Sequence, residues 1–232
     1  LTPMSKLFIV STPIGNQDDI TLRAIDTLKT CDAVICEELR IGDTLLNRLG
    51  ISKDIFTLNE HNEEEKTMEY AGMIASGANM ALISNCGTPC FFDPGRRLVN
   101  ACRSKNLPVI PIPGANSLIT ALSVSGIDLR QFHFAGFPPR EKQDREQFIK
   151  NSMQYNCPVI FMDTPYRLRN LLESVARFNT SQSLVLCMDL TKSTEQIMKG
   201  KASYLIEKIG STKNKREFIL IVDHSSKTSH KV

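Results

Sequence analysis

Several loops of this sequence carry residue types that could do chemistry, and each loop follows a short apolar run. Glu37, Glu38 and Arg40 follow the second run, and Glu60 with His61 follows the third. Loops rich in glycine, proline and polar residues lie at 11–16, 85–95 and 113–117. Carboxylates and an imidazole can accept a proton from a weak nucleophile, and glycine-containing turns let a backbone approach a ligand closely. These residue types indicate a polar ligand site.

Each motif also has an ordinary structural explanation, and the residues alone leave both readings open. Gly87-Thr88-Pro89 and Asp93-Pro94-Gly95 could be plain turns, and His61 could be a solvated surface residue. Glu37 and Glu38 could favour a helix N-terminus, or their like charges could raise one carboxyl pKa enough to make a base. The G-x-G-x-x-G and P-loop patterns do not occur, which disfavours a dinucleotide or P-loop nucleotide.

The elements that must position these loops alternate regularly in the first half of the chain. Strands are predicted at residues 7–10, 33–36, 55–58, 80–84 and 109–112. Helices are predicted at 21–29, through 45–49 with an end at Gly50, at 63–75, at 96–104 and after 114. A repeat of about 25 residues per β–α unit predicts a mainly parallel sheet with helices on its faces. Ligands of such sheets bind beyond the carboxyl ends of the strands, where these loops lie.

The second half has a different pattern and predicts a mixed sheet. Strands are predicted at 132–137, 159–162, 184–188 and 218–222, with a further antiparallel strand at 194–198. Helices are predicted at 142–153, 166–178 and 201–209. The sequence therefore predicts an α/β protein with two domains, 4–118 and 119–232, joined near residues 125–128. Arginines at 140, 145, 167 and 169 could contact phosphates or form solvated helix faces.

The composition excludes several classes of protein. With 41% hydrophobic residues and a formal charge of +3, the chain is neither disordered nor a strongly basic polyanion binder. The seven cysteines form no C-x-x-C pair and have no histidine cluster near Cys86 and Cys90, which predicts no metal site and a reduced, cytoplasmic compartment. Apolar runs of about five residues fall far short of the ~20 that span a membrane.

A series of motifs extends over residues 7–222. It begins with the segments 7–16 and 19–24 and continues through 60–63, 87–89, 93–95, 111–114, 136–140, 165–168, 190–192 and 217–218. In this order the motifs closely resemble the rRNA small subunit methyltransferase I family. Members of that family are cytidine 2′-O-methyltransferases of the tetrapyrrole (precorrin/corrin) methylase superfamily. The resemblance implies a two-domain tetrapyrrole-methylase-like fold, a homodimer, and rRNA or the small ribosomal subunit as the substrate.

The resemblance also implies S-adenosylmethionine (SAM) as the cofactor, held in a cleft between the two domains. In the first domain the predicted cofactor-binding residues are Pro13, Ser84, Asn85, Cys86, Gly87, Thr88, Pro113, Gly114 and Ala115. In the second they are Met162, Asp163, Thr164, Cys187, Met188, Asp189 and Glu217. By their positions Glu60, His61 and Glu37 are predicted to be catalytic, and the predicted substrate-binding residues are Arg40, Asp93, Arg140 and Arg167.

The chain departs from the family pattern at several of these positions. Asn85 stands where the family has aspartate, Glu38 also replaces an aspartate, and Met188 replaces an arginine. The sequence ends shortly after residue 222, before the small helical extension that is usual in the family. Three functions follow as alternatives: methylation of small-subunit rRNA, methylation of a tetrapyrrole or another RNA by the same fold, and SAM binding without catalysis.

Overall fold

A computed structural model describes residues 5–178, 181–210 and 216–224 of the chain. The chain divides into two compact units, Leu1–Asn116 and Ser117–Val232. Within the described residues each unit holds a five-stranded sheet. The predicted α/β class, with one parallel and one mixed sheet, is confirmed. Helices and strands lie close to their predicted positions, and the predicted bounds differ from the observed ones by at most three residues.

The first unit is a parallel sheet with helices on both faces. Its elements are β1 (Leu7–Val10), α1 (Leu22–Thr30), β2 (Ala33–Cys36), α2 (Leu39–Arg48), β3 (Asp54–Thr57), α3 (Glu63–Ala75), β4 (Met80–Leu82), α4 (Arg96–Ser104) and β5 (Val109–Ile112). The strand order is β3-β2-β4-β1-β5, and every pair is parallel. The carboxyl ends of all five strands therefore lie along one edge of the sheet.

Alternation along the strands explains why this sheet is covered on both sides. Val34 and Cys36 pack with residues of α1 and α2, whereas Ala33 and Ile35 pack with residues of α3 and α4. Successive strand side chains point to opposite faces, so an uninterrupted apolar strand such as β2 needs a cover on each face. The two helix layers leave the strand ends and their loops at the edge.

The second unit combines one parallel strand pair with antiparallel pairs. Its elements are α5 (Ser117–Val124), β6 (His133–Gly136), α6 (Lys142–Ser152), β7 (Val159–Asp163), α7 (Leu168–Phe178), β8 (Leu184–Met188), β9 (Gln196–Gly200), α8 (Ala202–Ile209) and β10 (Phe218–Val222). The strand order is β6-β7-β10-β8-β9, with β6 parallel to β7 and the other pairs antiparallel. The core packs α6, α7 and α8 against the face that carries Phe161, Leu186 and Leu220.

Candidate functional site

The loops that follow β1 and β4 are joined by their backbones. The Thr12 N–H donates to the Gly87 carbonyl oxygen at 2.8 Å, and the Gly87 N–H donates back to Thr12 at 3.1 Å. The Ser84 hydroxyl donates to the carbonyl oxygen of Cys86 at 3.0 Å, within the same β4 loop. These bonds position the predicted cofactor-binding segment 84–88 beside Pro13.

Side-chain hydrogen bonds extend this connection to the loop after β5. The Thr88 hydroxyl donates to the Ala115 carbonyl oxygen at 3.2 Å. Because that donation uses the only hydroxyl proton of Thr88, the Ser11 hydroxyl is the donor in their 2.9 Å contact. The Ser11 N–H also donates to Ile112. Residues predicted in three separate loops therefore form one hydrogen-bonded group.

Two glycines are required by the close approach of these loops. Gly87 has a φ of +77°, and a Cβ there would lie 3.3 Å from Cγ2 of Ile14. A Cβ on Gly114 would lie 3.0 Å from Cβ of Ser11. Only glycine adopts the first conformation without strain. The three loops thus pack closely against one another and form a compact cradle.

Two carboxyl groups in the loops that follow β2 and β4 have raised pKa values. Burial raises the pKa of Asp93 to about 6, and the charge of Glu37 adds to this rise. The pKa of Glu37 is also raised, first by burial and then by the charges of Glu38 and Glu60. A carboxylate whose pKa lies near neutrality is suited to proton transfer. Of these two groups, Asp93 has a pKa near neutrality.

Glu60 and His61 lie in a more open environment than Glu37. Their side chains are 84% and 85% exposed, and Nε2 of His61 is 3.5 Å from Oε1 of Glu60. A side-chain contact so accessible to solvent contributes little to stability. The structure places this pair at the sheet edge as predicted, in a position suited to contact with a large ligand.

Glu63 positions the loop that carries Asp93, a role that the sequence analysis did not identify. Its Oε1 accepts hydrogen bonds from the N–H groups of Gly95 at 2.9 Å and Arg97 at 3.2 Å, at the first turn of α4. Gly95 has a φ of +122°, and a Cβ there would meet Leu82 at 2.5 Å. A side chain of α3 thus satisfies the free donors of another helix. The only sequence signal for this contact is that Glu63 is acidic and that a helix, α4, follows later in the chain.

A cavity of about 560 Å³ lies beside α2 in the first unit. Its polar lining includes Glu38, Arg40, Arg48 and Asn85. The Asn85 amide donates through Nδ2 to Oε1 of Glu38 at 2.9 Å. Its Oδ1 atom is buried and has no hydrogen-bond partner within the described chain. Two positions that depart from the family pattern therefore form a hydrogen-bonded pair in this cavity.

The predicted cofactor residues of the second unit meet where three strands adjoin. Phe218 of β10 pairs with Asp163 of β7 on one side and with Met188 of β8 on the other. Cys187 and Met188 are buried in the sheet. The exposed Glu217 accepts a backbone hydrogen bond from Asp189 through its carbonyl oxygen at 2.8 Å. Met162 and Thr164 flank Asp163 at the end of β7.

Asp189 is held in a left-handed conformation by a polar network. Its φ is +49°, and its Oδ2 accepts hydrogen bonds from Nε of Arg216 at 2.7 Å and from the Thr194 hydroxyl at 2.8 Å. Burial acts to raise the pKa of this carboxyl, but the hydrogen bonds from Arg216 and Thr194, together with the charges of Arg216 and Lys192, outweigh burial and hold the pKa below its usual range. Asp189 therefore stays ionised near neutral pH.

Two of the predicted basic residues are engaged inside the second unit. Nη1 of Arg167 lies 3.2 Å from Oδ1 of the buried Asp163, and its Nη2 donates to the carbonyl oxygens of Pro138 and Pro139. Burial raises the pKa of Asp163, although the Thr164 N–H and the charge of Arg167 act against the rise. Arg145 is buried and donates to the Arg140 carbonyl. The Arg140 residue itself is exposed.

The described part of the chain lacks two features that other ligand-binding or membrane proteins have. No helix among residues 5–178, 181–210 and 216–224 has the length and apolar character needed to cross a bilayer. In the same part of the chain, no group of three or more His, Cys, Asp or Glu side chains is placed to hold a metal ion.

Known proteins similar in sequence point to one family. Residues 6–206 match the family described as Tetrapyrrole (Corrin/Porphyrin) Methylases. The chain is 38% identical over 229 residues to Ribosomal RNA small subunit methyltransferase I of Haemophilus influenzae, covering 97% of this chain and 80% of that one. It is 36% identical over 217 residues to the protein of the same name from Halalkalibacterium halodurans, covering 94% and 75%.

Solved structures with the same fold include two enzymes of low sequence identity. A diphthine synthase matches with a TM-score of 0.75 and 15% identity, covering 94% of this chain and 89% of that one. The uroporphyrin-III-C-methyltransferase of Thermus thermophilus matches with a TM-score of 0.63 and 19% identity, covering 95% and 94%. At these identities the likeness shows the fold.

Proposed function

The chain belongs to the rRNA small subunit methyltransferase I family, within the tetrapyrrole (corrin/porphyrin) methylases, and we propose that it transfers a methyl group from SAM to a ribose 2′-hydroxyl of small-subunit rRNA. The observation that carries this proposal is the hydrogen-bonded cradle formed by the loops after β1, β4 and β5. It lies where parallel sheets bind ligands. We further propose that the enzyme is a cytoplasmic homodimer.

The residues of the cradle fit the cofactor. Gly87 and Gly114 let the loops pack closely together, because a side chain at either position would meet a neighbouring residue of the cradle. We assign cofactor contacts to Pro13, Ser84, Asn85, Cys86, Gly87, Thr88, Pro113, Gly114 and Ala115, and in the second unit to Met162, Asp163, Thr164, Cys187, Met188, Asp189 and Glu217. When bound, SAM supplies a methyl group that is attached to a positively charged sulfonium. After transfer of the methyl group, the rest of the cofactor would leave as a neutral thioether.

Methyl transfer also requires a group of the chain to accept the proton of the acceptor hydroxyl. Transfer of a methyl group to a hydroxyl forms an O–C bond and releases the hydroxyl proton. A carboxylate oxygen of Asp93 or Glu37 would accept that proton and pass it to solvent. With a pKa of about 6, Asp93 is ionised at neutral pH yet basic enough to be useful. We propose Asp93 as the base and Glu37 as the neighbour that tunes it.

Methyl incorporation into purified small ribosomal subunits tests this function. The subunits come from cells lacking the enzyme, and the parallel acceptors are naked rRNA and a tetrapyrrole. We expect labelled methyl groups in the subunits, and in a ribose oxygen after digestion to nucleosides. Incorporation into the tetrapyrrole alone, or SAM binding without transfer to any acceptor, would contradict the proposal.

Substitution of Gly87 with alanine tests the cradle. We expect Gly87→Ala to weaken SAM binding at least about tenfold, since the new Cβ strains the left-handed backbone and presses on Ile14. Gly77→Ala is the matched control, because Gly77 also has a positive φ (+120°) but a Cβ there has open space. Calorimetric titration with SAM should separate the two variants. Equal affinities would contradict the assigned contact.

Exposed Glu60 and His61 are proposed to contact the substrate rather than to move its proton. We expect Glu60→Ala and His61→Ala each to raise KM for small subunits about tenfold, the loss of roughly one good contact, with kcat nearly unchanged. Steady-state kinetics at saturating SAM measure both constants. If both substitutions leave methyl transfer unaltered, neither residue belongs to the substrate site.

A further inference from the structure

The loop after β4 exposes two adjacent phenylalanines to solvent. Phe92 is 62% exposed and Phe91 is 38% exposed, although both side chains are large and apolar. Single exposed apolar residues are common on protein surfaces, but two exposed neighbours forgo burial that would stabilise the fold. We call Phe91 and Phe92 the aromatic pair. The contacts assigned above to the cofactor and the substrate do not include it.

The backbone keeps the aromatic pair exposed at a conformational cost. Cys90 and Phe92 have φ values of +65° and +64°, in the left-handed region that residues with a Cβ rarely adopt. Cys90 itself packs against the core beneath α3 and α4, and a Cβ on Gly95 would lie 2.8 Å from its Sγ atom. The loop is therefore anchored on both sides of the pair. Backbone strain of this kind is concentrated at functional sites.

The two rings of the aromatic pair are perpendicular to each other. Their centroids are 5.3 Å apart, and their planes meet at 89°. In such an edge-to-face arrangement each ring has at least one face that the other ring does not cover. A flat ligand group could stack on this face, and Phe92 is the more exposed of the two rings.

The aromatic pair lies between the cofactor cradle and the proposed base along one loop. Segment 84–88 of this loop belongs to the cradle, and Asp93 directly follows Phe92. Consecutive Cα atoms are about 3.8 Å apart. A group that stacks on Phe92 would therefore be close to a hydroxyl that gives its proton to Asp93. In an RNA substrate, the flat groups closest to a reacting ribose are its own base and the neighbouring bases.

The residues that follow Asp93 add positive charge to this surface. Arg96 and Arg97 begin α4, and both are exposed. Arg97 lies 3.9 Å from Glu64, but both side chains are more than half exposed and the pair is weak. Aromatic rings beside cationic side chains suit single-stranded RNA, because bases stack on the rings and the cations attract phosphates. The surface therefore favours an unpaired nucleotide as its occupant.

We propose that Phe92 stacks on an unpaired base of the RNA substrate beside the ribose that accepts the methyl group, and that Phe91 holds the Phe92 ring in place. The inference rests on the proposed RNA substrate. The stacked base orients the ribose toward Asp93, so the target nucleotide has to lie in an unpaired or opened segment. Because every base has a π-face, the aromatic pair contributes affinity and position without selecting a base.

Kinetics of the full chain with substitutions of Phe92 test this contact. We expect Phe92→Ala to raise KM for small subunits at least about tenfold at saturating SAM, the effect typical of one lost stacking contact. Phe92→Tyr keeps a flat ring and should stay near the wild type, whereas Phe92→Leu is apolar without a ring and should resemble Phe92→Ala. Each variant keeps a Cβ on the left-handed backbone. Met68→Ala, which removes an apolar side chain of α3 that is 61% exposed, is the control without effect.

Fluorescence of a substituted ring measures the stacking itself. The sequence contains no tryptophan, so Phe92→Trp introduces a single reporter into the loop. We expect single-stranded oligoadenylate to quench its emission. The same strand annealed to oligouridylate should quench it far less, because its bases are already paired and stacked. Met68→Trp is the matched control, and its emission should not respond to either RNA.

The outcomes separate this inference from the proposed function. Calorimetric titration with SAM and methyl transfer to subunits are measured first on the unsubstituted protein, and their failure would remove the proposed function. If both succeed, a wild-type KM in Phe92→Ala or Phe92→Leu overturns the inference. Unchanged emission of the Phe92→Trp variant in millimolar oligoadenylate also overturns it, and a raised KM in Phe92→Ala would then indicate contact with a ribosomal protein.

Two further results would assign the aromatic pair to a different role. If Phe92→Ala weakens SAM binding in the calorimetric titration, the ring contacts the cofactor and the inference is wrong. If Phe92→Ala changes the sedimentation coefficient of the protein, the pair lies between two copies of the chain, and the inference is wrong for that reason. We expect both quantities to match those of the unsubstituted protein.

Discussion

Asp93→Asn is expected to lower kcat for methyl transfer by about 10²–10⁴-fold, the usual contribution of a positioned base. The asparagine keeps the size of the side chain and removes only its capacity to take a proton. Because the proposed base does not hold the cofactor, SAM affinity should change little. Single-turnover transfer to small subunits, with SAM binding measured separately, distinguishes the loss of chemistry from the loss of binding.

The pH dependence of the methyl-transfer rate tests most directly whether Asp93 is the base. Burial, aided by the charge of Glu37, raises the pKa of Asp93 to about 6. The wild-type rate should therefore be full at neutral pH and fall as the pH drops through about 6, where the carboxylate takes up a proton. The Asp93→Asn rate should be low throughout and lack this acidic limb. Glu37→Gln should move the limb to lower pH, because it removes the like charge that helps to raise the pKa of Asp93.

Stability measurements test whether an inactive Asp93→Asn variant has simply lost its fold. A carboxyl whose pKa is raised in the folded protein destabilises the fold above that pKa, since its charged form is disfavoured there. Replacing it with a neutral amide should leave the urea midpoint at neutral pH unchanged or higher. A variant that is stable, binds SAM and still transfers methyl groups at the wild-type rate would exclude Asp93 as the base.

The elements of this fold follow from sequence because their signals are local. Short apolar runs between helical segments mark β1 to β5, and the antiparallel β9 was predicted within two residues. The strand order β3-β2-β4-β1-β5 could not be predicted from these local signals, because long-range packing determines which strands are neighbours. The parallel arrangement alone was sufficient to place the loops of the site at one edge.

In the site, too, the features with local causes could be predicted from sequence, and the features with long-range causes could not. Residue types and strand ends predicted that the loops after β1, β4 and β5 would meet, and Ser11, Thr88 and Ala115 do so. The capping of α4 by Glu63 and the burial that shifts the pKa of Asp93 depend on side chains brought from separate helices and loops. In the linear sequence the first is indicated only by an acidic residue near a helix, and the second leaves no pattern.

The basic residues of the second unit show why exposure cannot be read from composition. Arg140 and Arg167 were both predicted to contact the substrate. The structure leaves Arg140 exposed, but it surrounds the Arg167 guanidinium with Asp163 and two proline carbonyls. The spacing of Asp163 and Arg167, four residues apart, was the only sequence signal of a pair. This difference in environment leads to opposite expectations for the two residues.

Arg167→Ala is expected to destabilise the second unit by about 3–5 kcal/mol, the usual result of removing one partner of a buried ion pair. The Asp163 side chain is fully buried and the Arg167 side chain is 19% exposed, so solvent replaces little of the lost interaction. The carbonyl oxygens of Pro138 and Pro139 lose a donor as well. Urea unfolding monitored by circular dichroism measures the change.

Arg140→Ala is the matched comparison for this prediction. An exposed arginine should change the free energy of unfolding by less than about 0.5 kcal/mol, while its loss from a phosphate contact should weaken binding to subunits and reduce the salt dependence of binding by about one charge. Asp163→Asn combined with Arg167→Met should recover part of the stability lost in Arg167→Ala, since no charge then remains buried without a partner. If Arg167→Ala unfolds like the wild type and loses only affinity for subunits, Arg167 binds the substrate and its pairing with Asp163 is incidental.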